Sequence, residues 1–148
     1  MKTIVLSFSR QFPKYHPKAG KETKFVENIL EDIKLTTIRG NYNRWLDIAD
    51  KLDAGTHFLS LRYWSNKPYR SKQVEFEKVF KIDLKEVFIT NGINGFQITI
   101  NDEYLYYNDQ VALAKKEGFE ELEDFKNYFK EESFSGVMIE FLKVTSVF

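Results

Sequence analysis

The sequence predicts an α+β fold in a single domain spanning residues 1–148. Three observations predict it. A few segments carry apolar residues at helical spacing, while a larger number read as short apolar strands between turn signals. Aromatic residues reach 16%, with 14 Phe and 8 Tyr, a bias that suits half-buried pleated surfaces. At 148 residues and 43% hydrophobic, with no repeat, low-complexity tract or linker, the chain is long enough for one real core.

Residues 3–9 are mostly apolar and read as a buried first strand. Residues 11–22, with Pro13, Pro17 and Gly20, form a basic, turn-rich loop. From Thr23 onward, Phe25, Val26, Ile29, Leu30 and Ile33 mark an amphipathic helix, with Glu27, Glu31 and Asp32 on its other face. A second helix is expected over 44–54, with Asn43 as N-cap, Trp45, Ile48, Ala49 and Leu52 as its stripe, and Gly55 as its stop. Residues 57–63 and 73–83 read as strands, as do 86–89, 96–100 and 104–107. Asn91-Gly92 and Asn94-Gly95 are turn signals between them. A helix from Asp109 to Gly118 is followed by one carrying Leu122, Phe125, Tyr128 and Phe129. Ser133, Ser135 and Gly136 then form a turn before a final strand over 137–144.

Composition excludes several function classes. The 22 basic and 22 acidic residues cancel, so anion recognition has to come from a local patch. Without cysteine there are no disulfides or thiolate metal sites, which fits a cytoplasmic location. His16 and His57 lie far apart and outside any ligand pattern, so neither a metal nor another cofactor is expected. The apolar run near the N-terminus is too short to span a membrane and lacks the pattern of a signal peptide.

Two constellations carry chemistry. The first is Lys34-Leu35-Thr36-Thr37-Ile38-Arg39, directly after the first helix. Lys34 and Thr37 would face opposite ways in a strand and share a face only if the chain is helical or turning there. Thr37 and Arg39 share a face in a strand that begins afterwards. The second is the loop 61–72, where Arg62, Lys67, Arg70 and Lys72 are interleaved with Tyr63, Trp64 and Tyr69. Such a loop suits single-stranded nucleic acid, cations meeting phosphates while rings stack on bases. Arg44 and Trp45 are candidates to extend the same surface. Each feature has a plainer reading: Lys34 as a cation at a helix C-terminus, Thr37 as an ordinary strand residue, and the aromatic loop as a hairpin covering the end of the sheet.

Three pieces, in order, carry a resemblance to a known family. They are the helix Phe-x-x-x-Ile-Leu leading to Lys-x-x-Thr-Ile-Arg, the run Ala114-Lys115-Lys116-Glu117-Gly118-Phe119, and the helix around Glu123-Asp124-Phe125 before a strand through Ile139-Glu140-Phe141. Together they resemble the ASCH domain family, which implies a small PUA-like β-barrel with flanking helices. Segment 85–107 is longer than a minimal barrel of this kind needs, and loop 11–22 is a second departure. The resemblance implies RNA or nucleotide binding. For one branch of the family it implies hydrolysis of the N4-acetylcytidine amide by a Thr nucleophile, a Lys three residues before it and a Glu from the later helix. Carried over, these fall on Thr37, Lys34 and Glu117, with Arg39 as the Arg that follows. A Thr hydroxyl needs a neighbouring base, and a Lys with a lowered pKa serves as one. A protonated Lys34 would instead stabilise an oxyanion. Three functions therefore stand at this point: a domain binding RNA or a nucleoside in a cleft formed by the 34–39 turn and Glu117, an amidohydrolase at the same cleft, and a protein-interaction module using loop 61–72.

Overall fold

The computed structural model describes residues 1–143. In chain order the elements are β1 (Lys2–Ser7), α1 (Phe25–Leu30), β2 (Thr36–Gly40), α2 (Tyr42–Asp53), β3 (His57–Trp64), β4 (Gln73–Val79), β5 (Lys81–Gly92), β6 (Gly95–Ile100), β7 (Glu103–Tyr104), α3 (Tyr107–Lys116), α4 (Leu122–Asn127) and β8 (Ser133–Leu142). The strands form two sheets. One is three-stranded, in the order β1-β3-β4, and the other is five-stranded, in the order β2-β8-β5-β6-β7. β1 and β3 are parallel, joined by a crossover through α1, β2 and α2. Among the described residues no ladder joins the two sheets into a closed barrel.

Phe8, one residue beyond β1, ties the sheets together. Its ring meets Phe76 of β4 at 5.9 Å and Phe141 of β8 at 6.2 Å, both edge-on. Behind it, Leu59 and Leu61 of β3, Val87 and Ile89 of β5, Ile98 of β6 and Val137 and Ile139 of β8 are fully buried in a single core. Each such side chain contributes about 1.5–3 kcal/mol of burial. The long pairing of β5 with β8, from Lys81↔Leu142 to Thr90↔Ser133, forms the spine of the larger sheet.

Several sequence expectations need correction. β1 is an edge strand whose Thr3 and Val5 face outward, so only its inward residues are buried. α1 ends at Leu30, and Leu30 and Ile33 are exposed, because a tight reversal cuts the helix short. The N-cap of α2 is Asn41, whose Oδ1 accepts from the Arg44 N–H, so the helix begins two residues before 44. Residues 73–83 divide at Phe80 into β4 and β5. Asn91-Gly92 lies inside β5, with the turn at Ile93-Asn94. β7 keeps only Glu103 and Tyr104, while Tyr107 opens α3. Ser133, Ser135 and Gly136 belong to β8, because their backbones pair with Thr90, Phe88 and Val87. Val144 lies outside the described residues.

Candidate functional site

The reversal after α1 delivers Lys34 to the interior. Asp32 takes a positive φ of 61°, and the N–H groups of Ile33 and Lys34 both donate to the Asn28 carbonyl, at 2.8 and 2.9 Å. Leu35 N donates to Lys116 O at the end of α3, and Phe141 N donates to Leu35 O, so this segment is pinned on both sides. The Lys34 side chain is only 3% exposed, and its Nζ donates to the carbonyls of Thr36, at 2.8 Å, and of Glu117. It also lies 4.7 Å from the Phe25 ring centroid. Gly118 makes room for the Lys34 stem. Its φ is +91°, and a Cβ there would sit 2.9 Å from Lys34 Cδ.

β2 then places successive side chains on opposite faces. Thr36 turns inward, fully buried, and its hydroxyl donates to Glu117 Oε2. Thr37 faces the cleft, where its hydroxyl accepts from Arg39 Nε at 3.2 Å. Arg39, on the same face, donates through Nη2 to Ser7 O at 2.8 Å and lies 4.9 Å from the Phe8 ring centroid. One guanidinium thus links β2 to the end of β1 in the other sheet. Glu117 caps α3, is 3% exposed, and donates its own N–H to Leu113 O.

These groups share one cavity of about 680 Å³, lined by Lys34, Thr37, Arg39 and Glu117 together with Phe8, Phe25, Phe119 and Tyr128. That volume lies within the range of small-molecule sites. Phe25, Phe119 and Tyr128 pack edge to face at 5.3–5.9 Å and form an aromatic wall. Trp64, Lys67, Pro68 and Tyr69 of loop 61–72 also line the cavity. The 11–22 loop is fastened to α4 behind this wall. His16 Nδ1 accepts from Lys18 N, so Nε2 carries the proton and donates to Asp124 O at 2.9 Å. Lys18 pairs with the Asp124 carboxylate at 2.6 Å.

Electrostatics follow from burial. Desolvation lowers the Lys34 ammonium from 10.5 to about 8, with the Glu117 carboxylate opposing and Arg39 assisting. Burial is the larger cause of this shift, and the Arg39 cation adds to it. Burial also lowers Arg39, against the influence of Tyr128 and Glu117. It raises the Tyr128 phenol, which Arg39 partly offsets.

The structure therefore brings Lys34, Thr37, Arg39 and Glu117 together with Trp64, Lys67 and Tyr69, and it separates the remaining candidates from the cavity. Trp45 is 2% exposed in the core, where its ring supports α2. Arg44 sits on the exposed face of α2. Arg62 is held along its own sheet by Ser60 and Gln73, and Arg70 lies outside the cavity lining. The sequence reading missed Thr36, Phe8, Arg10, Phe25 and Tyr128. Only Thr36, inside the 34–39 run, offered a local signal. Among the described residues no group of three or more His, Cys, Asp or Glu is placed to hold a metal ion, and no helix is long and apolar enough to cross a membrane. Compared with family models, curated proteins and solved structures, the chain matches none.

Proposed function

We propose that this chain is an ASCH-like domain, similar to the small PUA-like barrels, whose cleft takes up a nucleoside, a nucleotide or a single RNA base. The observation that carries this reading is the convergence of Lys34, Thr37, Arg39 and Glu117 on one cavity wall beside Phe25, Phe119 and Tyr128. Cations and a carboxylate supply donors and an acceptor for the polar edge of a ring. The aromatic wall and Trp64 supply faces for it to lie against. Lys67 and Arg10 on the cavity lining suit a phosphate attached to such a ring.

A second reading, hydrolysis of an acylated cytidine, is favoured by the lowered Lys34. At about 8, roughly one Lys34 in ten is neutral at pH 7 and available as a base. In that reaction Lys34 takes the Thr37 proton, Thr37 Oγ1 bonds to the acyl carbon, and the C–N bond breaks as the proton passes to the leaving amine. Water then cleaves the ester. Lys34 Nζ has to exchange the Thr36 carbonyl for Thr37 Oγ1, and Glu117 is positioned by Thr36 rather than by Thr37. Binding is therefore the reading the geometry supports best.

The test is a panel of nucleosides, nucleotides and N4-acylated cytidines assayed for binding and turnover by the wild type and Thr37→Ala. Saturable binding by both proteins without turnover is the expected result. Turnover abolished by Thr37→Ala would establish the hydrolase instead. Absence of binding by every member of the panel would overturn both readings.

A further inference from the structure

The Glu117 carboxylate is held on one side only. Its main chain is fixed at two points: the N–H donates to Leu113 O, and the carbonyl accepts from Lys34 Nζ. Its side chain is fixed at a third, where Oε2 accepts from the buried Thr36 hydroxyl. Among the described residues Oε1 has no hydrogen-bond partner, yet no fully buried side-chain oxygen or nitrogen of those residues lacks one. Oε1 is therefore open, and the opening available to it is the cavity that Glu117 lines. Thr36 occupies the face of β2 opposite Thr37 and does not line that cavity, so it acts on any ligand only through Glu117.

We propose that Thr36 is the positioning residue of Glu117, fixing it as a one-oxygen acceptor at the cavity wall, and that this subsite takes an N–H donor of the bound ligand, such as an amino group on a ring. The donor subsite rests on the nucleoside reading above; the positioning role does not. An anchored carboxylate discriminates where a swinging one does not. A ring bearing an oxo group in place of the amino group would set one acceptor against another and leave both without a donor. Neighbouring donors sharpen the contrast, because Lys34 and Arg39 line the same cavity and offer their N–H groups to ring acceptors, not to a ring donor.

The experiment uses the full chain with Thr36→Val, which keeps the shape and removes the hydroxyl, and Thr36→Ser, which restores it. Thr36→Ala serves where the Val variant does not fold. Two readouts are taken. Three-bond NMR couplings report whether the Glu117 side chain holds a single rotamer. Affinities for the amino/oxo pairs cytidine/uridine and adenosine/inosine report the donor subsite. The expected result is a single rotamer in wild type and Thr36→Ser, averaged couplings in Thr36→Val, and an amino-over-oxo preference that falls about tenfold in Val and returns in Ser. A single rotamer retained in Thr36→Val overturns the positioning role. Averaged couplings with an unchanged amino preference overturn the donor subsite. Averaged couplings with no nucleoside bound by wild type uphold positioning and overturn the nucleoside reading, so the two failures are distinguishable.

Discussion

Replacing Lys34 with Met tests the electrostatics of the cleft through folding alone. Met keeps an unbranched flexible stem, so the channel beside Gly118 stays filled. In the wild type the ammonium falls from 10.5 to about 8 on folding. Between those values the unfolded chain binds more protons than the folded one, so stability rises as pH rises. Below pH 8 both states are charged, and the full cost of burying the charge is present, roughly 3 kcal/mol for a shift of this size. The Met variant escapes that cost but leaves the Thr36 and Glu117 carbonyls without their donor, a loss of about 1–3 kcal/mol for each. The two effects largely offset at pH 7, and the variant should then be close to wild type. From pH 7 to 9.5 the wild type should gain about 2 kcal/mol relative to the variant, as most of its penalty is relieved. Urea denaturation of both proteins at pH 7, 8.5 and 9.5 measures this, because groups that titrate alike in both cancel in the difference. A difference that stays constant across that range would refute a desolvated Lys34.

Other predictions address the framework and the cavity rim. Gly136→Ala should destabilise by about 1–3 kcal/mol or more in thermal or urea melts, because a Cβ there would lie 2.3 Å from the Arg39 carbonyl oxygen where β2 pairs with β8. Asn41→Ala should cost about 1–2 kcal/mol in the same assay, losing the cap on Arg44 N at a φ of 65°; Asn41→Gly should cost less, as glycine tolerates that φ. Lys67→Ala should weaken binding of a nucleoside monophosphate and reduce its salt dependence, whereas Arg70→Ala should leave both nearly unchanged, since only Lys67 lines the cavity. Equal effects from the two substitutions would argue that the whole loop, rather than the cavity, meets the ligand.

Much of the site was legible because the Lys34–Thr37–Arg39 spacing permits convergence only through a turn followed by a strand, and the chain makes both. Glu117 became legible through a resemblance rather than through its local pattern, since a Glu near a helix end usually faces solvent. Thr36 was hidden by its neighbour: two adjacent threonines look alike in sequence, and strand alternation sends one to the cavity and the other to the carboxylate. The aromatic wall escaped for a different reason. Phe25 and Tyr128 sit on helical stripes that are indistinguishable from core until the cavity beside them is seen. Asn43 is a cap residue type, but the left-handed turn at Asn41, directly after β2, starts the helix two residues earlier. The length of α1 depended on a non-local demand, because the chain has to reverse to bring Lys34 back under Gly118.

A ring-sized ligand is expected to enter the cavity lined by β2 and the aromatic rings. The decisive experiment is an NMR titration of the isotope-labelled protein with cytidine, N4-acetylcytidine and their 5′-monophosphates. Saturable shifts concentrated at Thr37, Arg39 Nε, Glu117 and Tyr128 are the predicted result. Shifts confined to the exposed Tyr104–Tyr107 surface or to α2 around Arg44, with those four residues unmoved, would contradict it.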